Sequence, residues 1–135
     1  MPSPQEIVNT MMNKDLFSQW LGISVLDVGL GTCRLSLTVR TEMVNGFGIT
    51  HGGITYCLSD SALAFACNSH GQHAVSIETS ISHTAKVNEG DILTAEAKEI
   101  SRSKKIGFYE VTIRNQENKL VSHFKGTVFV TEKNW

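Results

Sequence analysis

No sign of charge prevails in this sequence. Twelve Lys and Arg stand against thirteen Asp and Glu, a formal net charge of −1, so the basic face of a nucleic-acid binder is not indicated. No run of about 18 apolar residues offers a membrane span. The N-terminus lacks the basic-then-apolar order of a secretion signal. Cysteine is scarce and odd in number: Cys33, Cys57 and Cys67 form no C-x-x-C pair. That fits reduced thiols in a cytoplasmic protein better than a disulfide framework. No G-x-S-x-G occurs, which argues against a serine nucleophile on an elbow. No repeat, low-complexity tract or linker divides the chain. A single domain over residues 1–135 is the simplest expectation.

What is present is an ordinary globular composition, 41% hydrophobic and 19% charged, and one unusual stretch. The glycine-rich segment Asn45-Gly46-Phe47-Gly48-Ile49-Thr50-His51-Gly52-Gly53 runs into Ile54 to Asn68, which is almost entirely apolar. A helix apolar on nearly all sides must be buried on nearly all sides. Asp60 sits in the middle of it.

The flanking segments supply what would surround such a helix. Ser3-Pro4-Gln5-Glu6 has the form of a capping box with proline at the first helical position. Leu16 to Leu21 reads as a second short helix, capped by Asp15 and stopped by Gly22. Ile23 to Val28 reads as a strand followed by a Gly29-Leu30-Gly31 turn. Thr32 to Arg40 alternates, with Cys33, Leu35, Leu37 and Val39 on one face, as in a half-buried antiparallel strand. After the helix and Gly71 the period is two again. Val75 to His83, Asp91 to Ile100, a strand around Tyr109, Val111 and Ile113, and Leu120 to Val130 predict four strands paired in sequence as a meander. The fold class is α+β: a curved antiparallel sheet wrapped around a long central helix. The helix's remaining apolar face and one sheet edge would be covered by a second copy.

Asp60 follows His51 by nine residues, roughly 13 Å and half a rotation along a helix. A helix starting near His51 therefore keeps Asp60 away from its own Gly52-Gly53. Yet both ends look chemical. Gly52 and Gly53 let a ligand approach the backbone, and helix-terminal N–H groups are polarised toward negative charge, as an oxyanion donor must be. A carboxylate buried without a partner is costly and marks a functional candidate. Two antiparallel helices across a dimer axis would bring Asp60 of one chain to Gly52 of the other. The residues alone also allow a plain reading, in which Asp60 caps a second helix after a break and Gly52-Gly53 is a turn.

The spacing Asn45-x5-His51-Gly52-Gly53-x6-Asp60 resembles the hotdog-fold acyl-CoA thioesterases, in particular the phenylacetic acid degradation (PaaI) type. The likeness extends through Leu21-Gly22-Ile23, Met43-Val44-Asn45-Gly46, Phe65-Ala66-Cys67-Asn68-Ser69, Tyr109-Glu110-Val111 and Phe124-Lys125-Gly126. The resemblance implies a hotdog fold that hydrolyses acyl-CoA, with aromatic or arylacetyl groups such as phenylacetyl and hydroxyphenylacetyl as the acyl part. It implies Asp60 as nucleophile or general base, Gly52 as oxyanion donor, Asn45 as a side chain orienting the carbonyl or the water, and His51 as the shaper of the loop. Gly53 and Ser76 would border the substrate. It implies a homodimer as the minimal active unit and a homotetramer as its usual form, with no cofactor and no metal. Two departures bear on the acyl pocket: His83-Thr84-Ala85-Lys86-Val87 stands where relatives often carry an aromatic and a proline, and Ser59 stands where alanine is usual.

Other groups in the sequence bear on chemistry. Cys57 and Cys67 read as core residues. His70 and His73 read as surface residues without the further ligands that zinc needs. Ser101-Arg102-Ser103-Lys104-Lys105 reads as a hairpin tip or as a contact for the phosphates of coenzyme A, with Arg102, Ser103 and Lys104 as the candidates. A dehydratase of the same fold would need Asp and His at short spacing, which is absent. The competing function is an acyl-CoA-binding module without turnover.

Overall fold

A computed structural model describes all residues from Met1 to Trp135. The element order is α1 (Pro4–Lys14), α2 (Leu16–Leu21), β1 (Ser24–Gly29), β2 (Thr32–Thr38), a 3-10 turn (Thr41–Met43), α3 (Gly52–Asn68), β3 (Gln72–His83), β4 (Ile92–Arg102), β5 (Ile106–Arg114) and β6 (Leu120–Asn134). The six strands form one antiparallel sheet in the order β1-β2-β4-β5-β6-β3. This is the hotdog fold, with α3 lying across the inner face of the sheet.

Local chemistry sets the elements. Ser3 and Glu6 form the reciprocal capping box at the start of α1, and Asp15 caps α2 through the Ser18 amide. Gly22 ends α2 with φ of 80°, a left-handed conformation that glycine adopts without strain. On β2, Cys33, Leu35 and Leu37 are buried while Thr32, Arg34, Ser36 and Thr38 face outward or sit at the margin. Leu93, Ala95 and Ala97 of β4 and Tyr109, Val111 and Ile113 of β5 continue the same inner face, which joins Leu58, Ala62, Leu63, Phe65 and Ala66 of α3 in a single core cluster. The small residues of β4 admit the helix. So does Gly126 of β6, where an added Cβ would lie only 2.6 Å from Leu63 Cδ2. A side chain there would force the Leu63 side chain out of its place.

Pairing in sequence order holds for β4, β5 and β6 but not for β3. β3 pairs with β6 at the far edge of the sheet, while β4 pairs with β2. The connections β4–β5 and β5–β6 are short enough for hairpins. The segment Thr84 to Asp91 is longer, with Val87 buried along it, and carries the chain from one edge back to the middle. The meander expected from residue 75 onward is thus corrected to a crossover after β3. As a result β3, twelve residues long, has a neighbour on one side only.

The central helix is not buried all round within one chain. Gly53, Tyr56, Cys57, Asp60 and Ala64 form a stripe at helical spacing that is only half-buried, while the remaining faces pack inside. No helix is long and apolar enough to cross a membrane.

Candidate active site

The glycine-rich loop is built by its own backbone and by Asn45. The Asn45 N–H donates to Ile49 C=O at 2.7 Å and the Gly48 N–H to Asn45 C=O at 3.0 Å, with Gly48 at φ 81°. Asn45 Oδ1 accepts from the amides of Phe47 (2.9 Å) and Ile49 (3.4 Å). That leaves the side-chain NH2 of Asn45 without a partner in the chain. The end of the loop is tied down on both sides, Thr50 N–H to Val87 C=O and His51 N–H to Met43 C=O, each at 2.8 Å.

His51 is the N-cap of α3, and its Nδ1 accepts from the Gly53 N–H at 2.8 Å. The Ile54 N–H is taken by the His51 carbonyl. The Gly52 N–H has no acceptor in the chain. Of the two glycine amides, one is spent on capping and one points a free donor outward at the positive end of a helix.

That donor opens on a cavity of about 370 Å³ lined by Asn45, Gly52, Thr55, His83, Lys86 and Val87 among others. Asp60 is elsewhere. It borders a second cavity of about 300 Å³ with Met11, Leu63, Ala64, Asn68, Val75 and Ser76. The two cavities have no residue in common. Asp60 receives no hydrogen bond from its own chain. Burial, and then the charge of Asp15, push its carboxyl above the usual value. The same burial and the Asp60 charge push up the Cys57 thiol, so Cys57 is not a ready nucleophile.

The remaining candidates divide. Gly53 lies on the half-buried stripe, its amide held by His51. Ser76 shares the cavity of Asp60. Ser103 closes the β4–β5 turn through the Ile106 amide and carbonyl, and Lys104 borders a small surface cavity with Lys105 and Phe129. Arg102 does not join them at the hairpin tip. Its guanidinium turns inward, donating to Cys67 C=O at 3.2 Å and to the Tyr109 hydroxyl at 3.3 Å. Tyr109 in turn donates to Glu99 Oε1 at 2.7 Å, which also meets His70 Nε2 at 2.8 Å. Arg102 thereby serves the C-terminal end of α3, where carbonyls are unpaired and the dipole is negative. Ser59 is fully buried, its hydroxyl without a partner, and borders neither cavity.

His83 and Lys86 were not singled out individually by the sequence, yet both line the Gly52 cavity. Their signal was the missing aromatic and proline: a titratable ring and a cation fall where packing residues are common.

A free helix-terminal amide, a loop with a spare amide donor, and an unpartnered carboxylate are the parts of an acyl-transfer hydrolase. The comparisons agree. The model of the thioesterase superfamily matches residues 47–122, and the chain belongs to that superfamily as a hotdog-fold thioester hydrolase. Among its relatives is the acyl-coenzyme A thioesterase PaaI of Escherichia coli, 36% identical over 87% of this chain and 84% of that one. A putative esterase of Archaeoglobus fulgidus is 35% identical over 93% of this chain and 81% of its own. The solved structure of the E. coli PaaI protein from the phenylacetic acid degradation operon superposes with a TM-score of 0.95, covering 97% of this chain and 95% of that one at 32% identity. The smu.793 protein of Streptococcus mutans, solved with acetyl CoA bound, matches with a TM-score of 0.81 at 25% identity over 84% of this chain and 91% of that one.

Proposed function

We propose that the protein hydrolyses acyl-CoA thioesters with an aromatic or arylacetyl acyl part, at a site shared between two copies of the chain. The Gly52 N–H of one copy holds the thioester oxygen and the Asn45 side-chain amide orients it. Asp60 of the other copy acts as base on a water beside Ser76, or attacks the carbonyl itself and leaves water to open the anhydride. The observation that carries this reading is the division of the machinery. The oxyanion donor and the carboxylate border separate cavities, and Asp60 lies on the one stripe of α3 that its own chain leaves half-covered.

The raised carboxyl of Asp60 suits a base better than an ordinary carboxylate, whose low pKa makes it a poor proton acceptor near neutrality. The aromatic preference is supported by the likeness to PaaI. Lys104 and Ser103 are the surface groups best suited to the phosphates of coenzyme A. The active unit on this reading is a homodimer, two of which form a tetramer, in the cytoplasm. The reaction would return coenzyme A from stalled acyl-CoA intermediates.

Thiol release from a panel of acyl-CoAs tests the proposal. Phenylacetyl-CoA and its hydroxylated forms should turn over faster than short aliphatic acyl-CoAs, and Asp60→Asn should lower kcat by orders of magnitude with KM little changed. Binding with thermal stabilisation but no thiol release would favour the acyl-CoA-binding module instead.

A further inference from the structure

His83 has no part in the scheme above, yet it stands beside the oxyanion donor. It is the last residue of β3, paired with Ser122 of β6, so the sheet fixes its backbone. Its side chain is exposed to the cavity that Asn45 and Gly52 line. A Cβ on Gly52 would lie 3.1 Å from His83 Nε2, which puts that nitrogen next to the residue whose amide is free.

Thr55 ties this ring to the start of the helix. Its Oγ1 lies 3.0 Å from the Gly52 carbonyl and 3.3 Å from His83 Nδ1. With the hydroxyl hydrogen on the carbonyl, Nδ1–H is the donor of the second contact. Nε2 is the nitrogen left beside Gly52, on the cavity side.

We propose that His83 is a catalytic residue that protonates the departing thiolate. The assignment rests on the shared-site reading, in which the thioester oxygen lies at the Gly52 N–H. The sulfur is bonded to the same carbon as that oxygen, and so falls in the neighbourhood of Nε2. When the tetrahedral adduct collapses, the C–S bond breaks and its electron pair goes to sulfur. The Nε2 proton passes to sulfur, leaving a free thiol and a neutral imidazole. Asp60 has meanwhile taken one proton from the attacking water. Loss of that proton to solvent and gain of one by His83 restore both groups. One water is consumed, an acid and a thiol are released, and no further reactant is needed. A thiolate is already a fair leaving group, so the help it receives belongs at the low end of general-acid effects, about 10²-fold.

The test compares leaving groups. Native protein, His83→Gln and His83→Phe are assayed on an acyl-CoA and on the thiophenyl ester of the same acid, and each variant's kcat is taken relative to native on the same substrate. Because thiophenolate departs readily without a proton, the loss of about 10²-fold expected on the CoA thioester should largely vanish on the thiophenyl ester. The ring is exposed, so melting curves should be unchanged. An equal loss on both substrates, or no loss on either, overturns the assignment. Asp60→Asn in the same assay separates the two ideas. Full activity in that variant overturns the shared-site reading itself. Its inactivity on both substrates, beside His83 variants indifferent to the leaving group, overturns only the role of His83.

Discussion

His51 and Gly53 share a hydrogen bond, Nδ1 accepting the amide proton at 2.8 Å, and this bond is what singles out Gly52. Without it, two adjacent amides would stand open at the start of α3. With it, one is satisfied and the other is presented alone. The bond also holds the imidazole against the helix end.

Gly52→Pro removes that amide; its Cβ would also lie 3.1 Å from His83 Nε2, so the exposed ring must give way slightly, and the His83 variants measure that second effect separately. Gly52 is the first helical residue and His51 before it is extended (φ −61°, ψ 135°), the backbone setting in which proline is accepted. The variant should fold with a melting temperature close to native and lose about 10²–10³-fold in kcat, the usual cost of removing an oxyanion donor. Steady-state kinetics with a thermal melt on the same sample checks it.

Asp60→Asn should trade activity for stability. Burial raises the Asp60 carboxyl above its ordinary value, so the folded state holds its proton more tightly than the unfolded state does. Between the unfolded and folded values the folded chain binds more protons, and stability falls as pH rises through that window. Asparagine carries no such penalty. Its melting temperature should exceed native by a few degrees at neutral pH, and the gain should disappear in acid where Asp60 is protonated in both states. The native kcat/KM should in turn fall on acidification with a midpoint above the usual carboxylate range.

Mixing the two variants checks that the site is shared. Gly52→Pro and Asp60→Asn homo-oligomers should each keep no more than about 1% of native turnover. A mixed dimer keeps one intact site out of two, so refolding an equimolar mixture should restore roughly a quarter of native activity under random pairing by mass action. Mixed dimers shown by native mass spectrometry to form, yet inactive, would contradict the shared site.

Arg102 and Lys104 should part company. Arg102 donates to Cys67 C=O and to Tyr109, so Arg102→Ala should cost about 1–3 kcal/mol in urea unfolding, in line with lost hydrogen bonds from a charged donor, with little change in KM. Lys104→Ala should leave stability unchanged and raise KM for acyl-CoA, more so at low ionic strength.

Much of this was legible because it is local. The Ser3–Glu6 box, the Asp15 cap, the Gly22 stop and the alternation from Cys33 to Val39 are matters of neighbouring residues, and the structure has them where period and capping put them. The length of α3 followed from one apolar run, and the separation of Asp60 from Gly52 from helix geometry alone. What the sequence concealed is non-local. Nothing in Gln72 to His83 says that the strand pairs with β6 rather than β4, because both partners offer the same alternation. Nor does the run Ser101 to Lys105 say that its one arginine turns in to α3 while its lysines stay out, since the acceptor is a carbonyl 35 residues away. His83 was hidden for the same reason: Gly52 and Thr55 approach it only once β3 has crossed to the far edge.

That crossing leaves β3 as a long strand with backbone donors and acceptors open along one side, and with Val75 and Ile77 exposed on it. An open apolar edge invites pairing with any extended chain nearby. On the proposed dimer reading, the first symptom of failed assembly would be insolubility. A substitution on β3 that weakened the approach of a second copy would be met as lost yield and turbid lysate, and its enzyme, once concentrated, could still be fully competent.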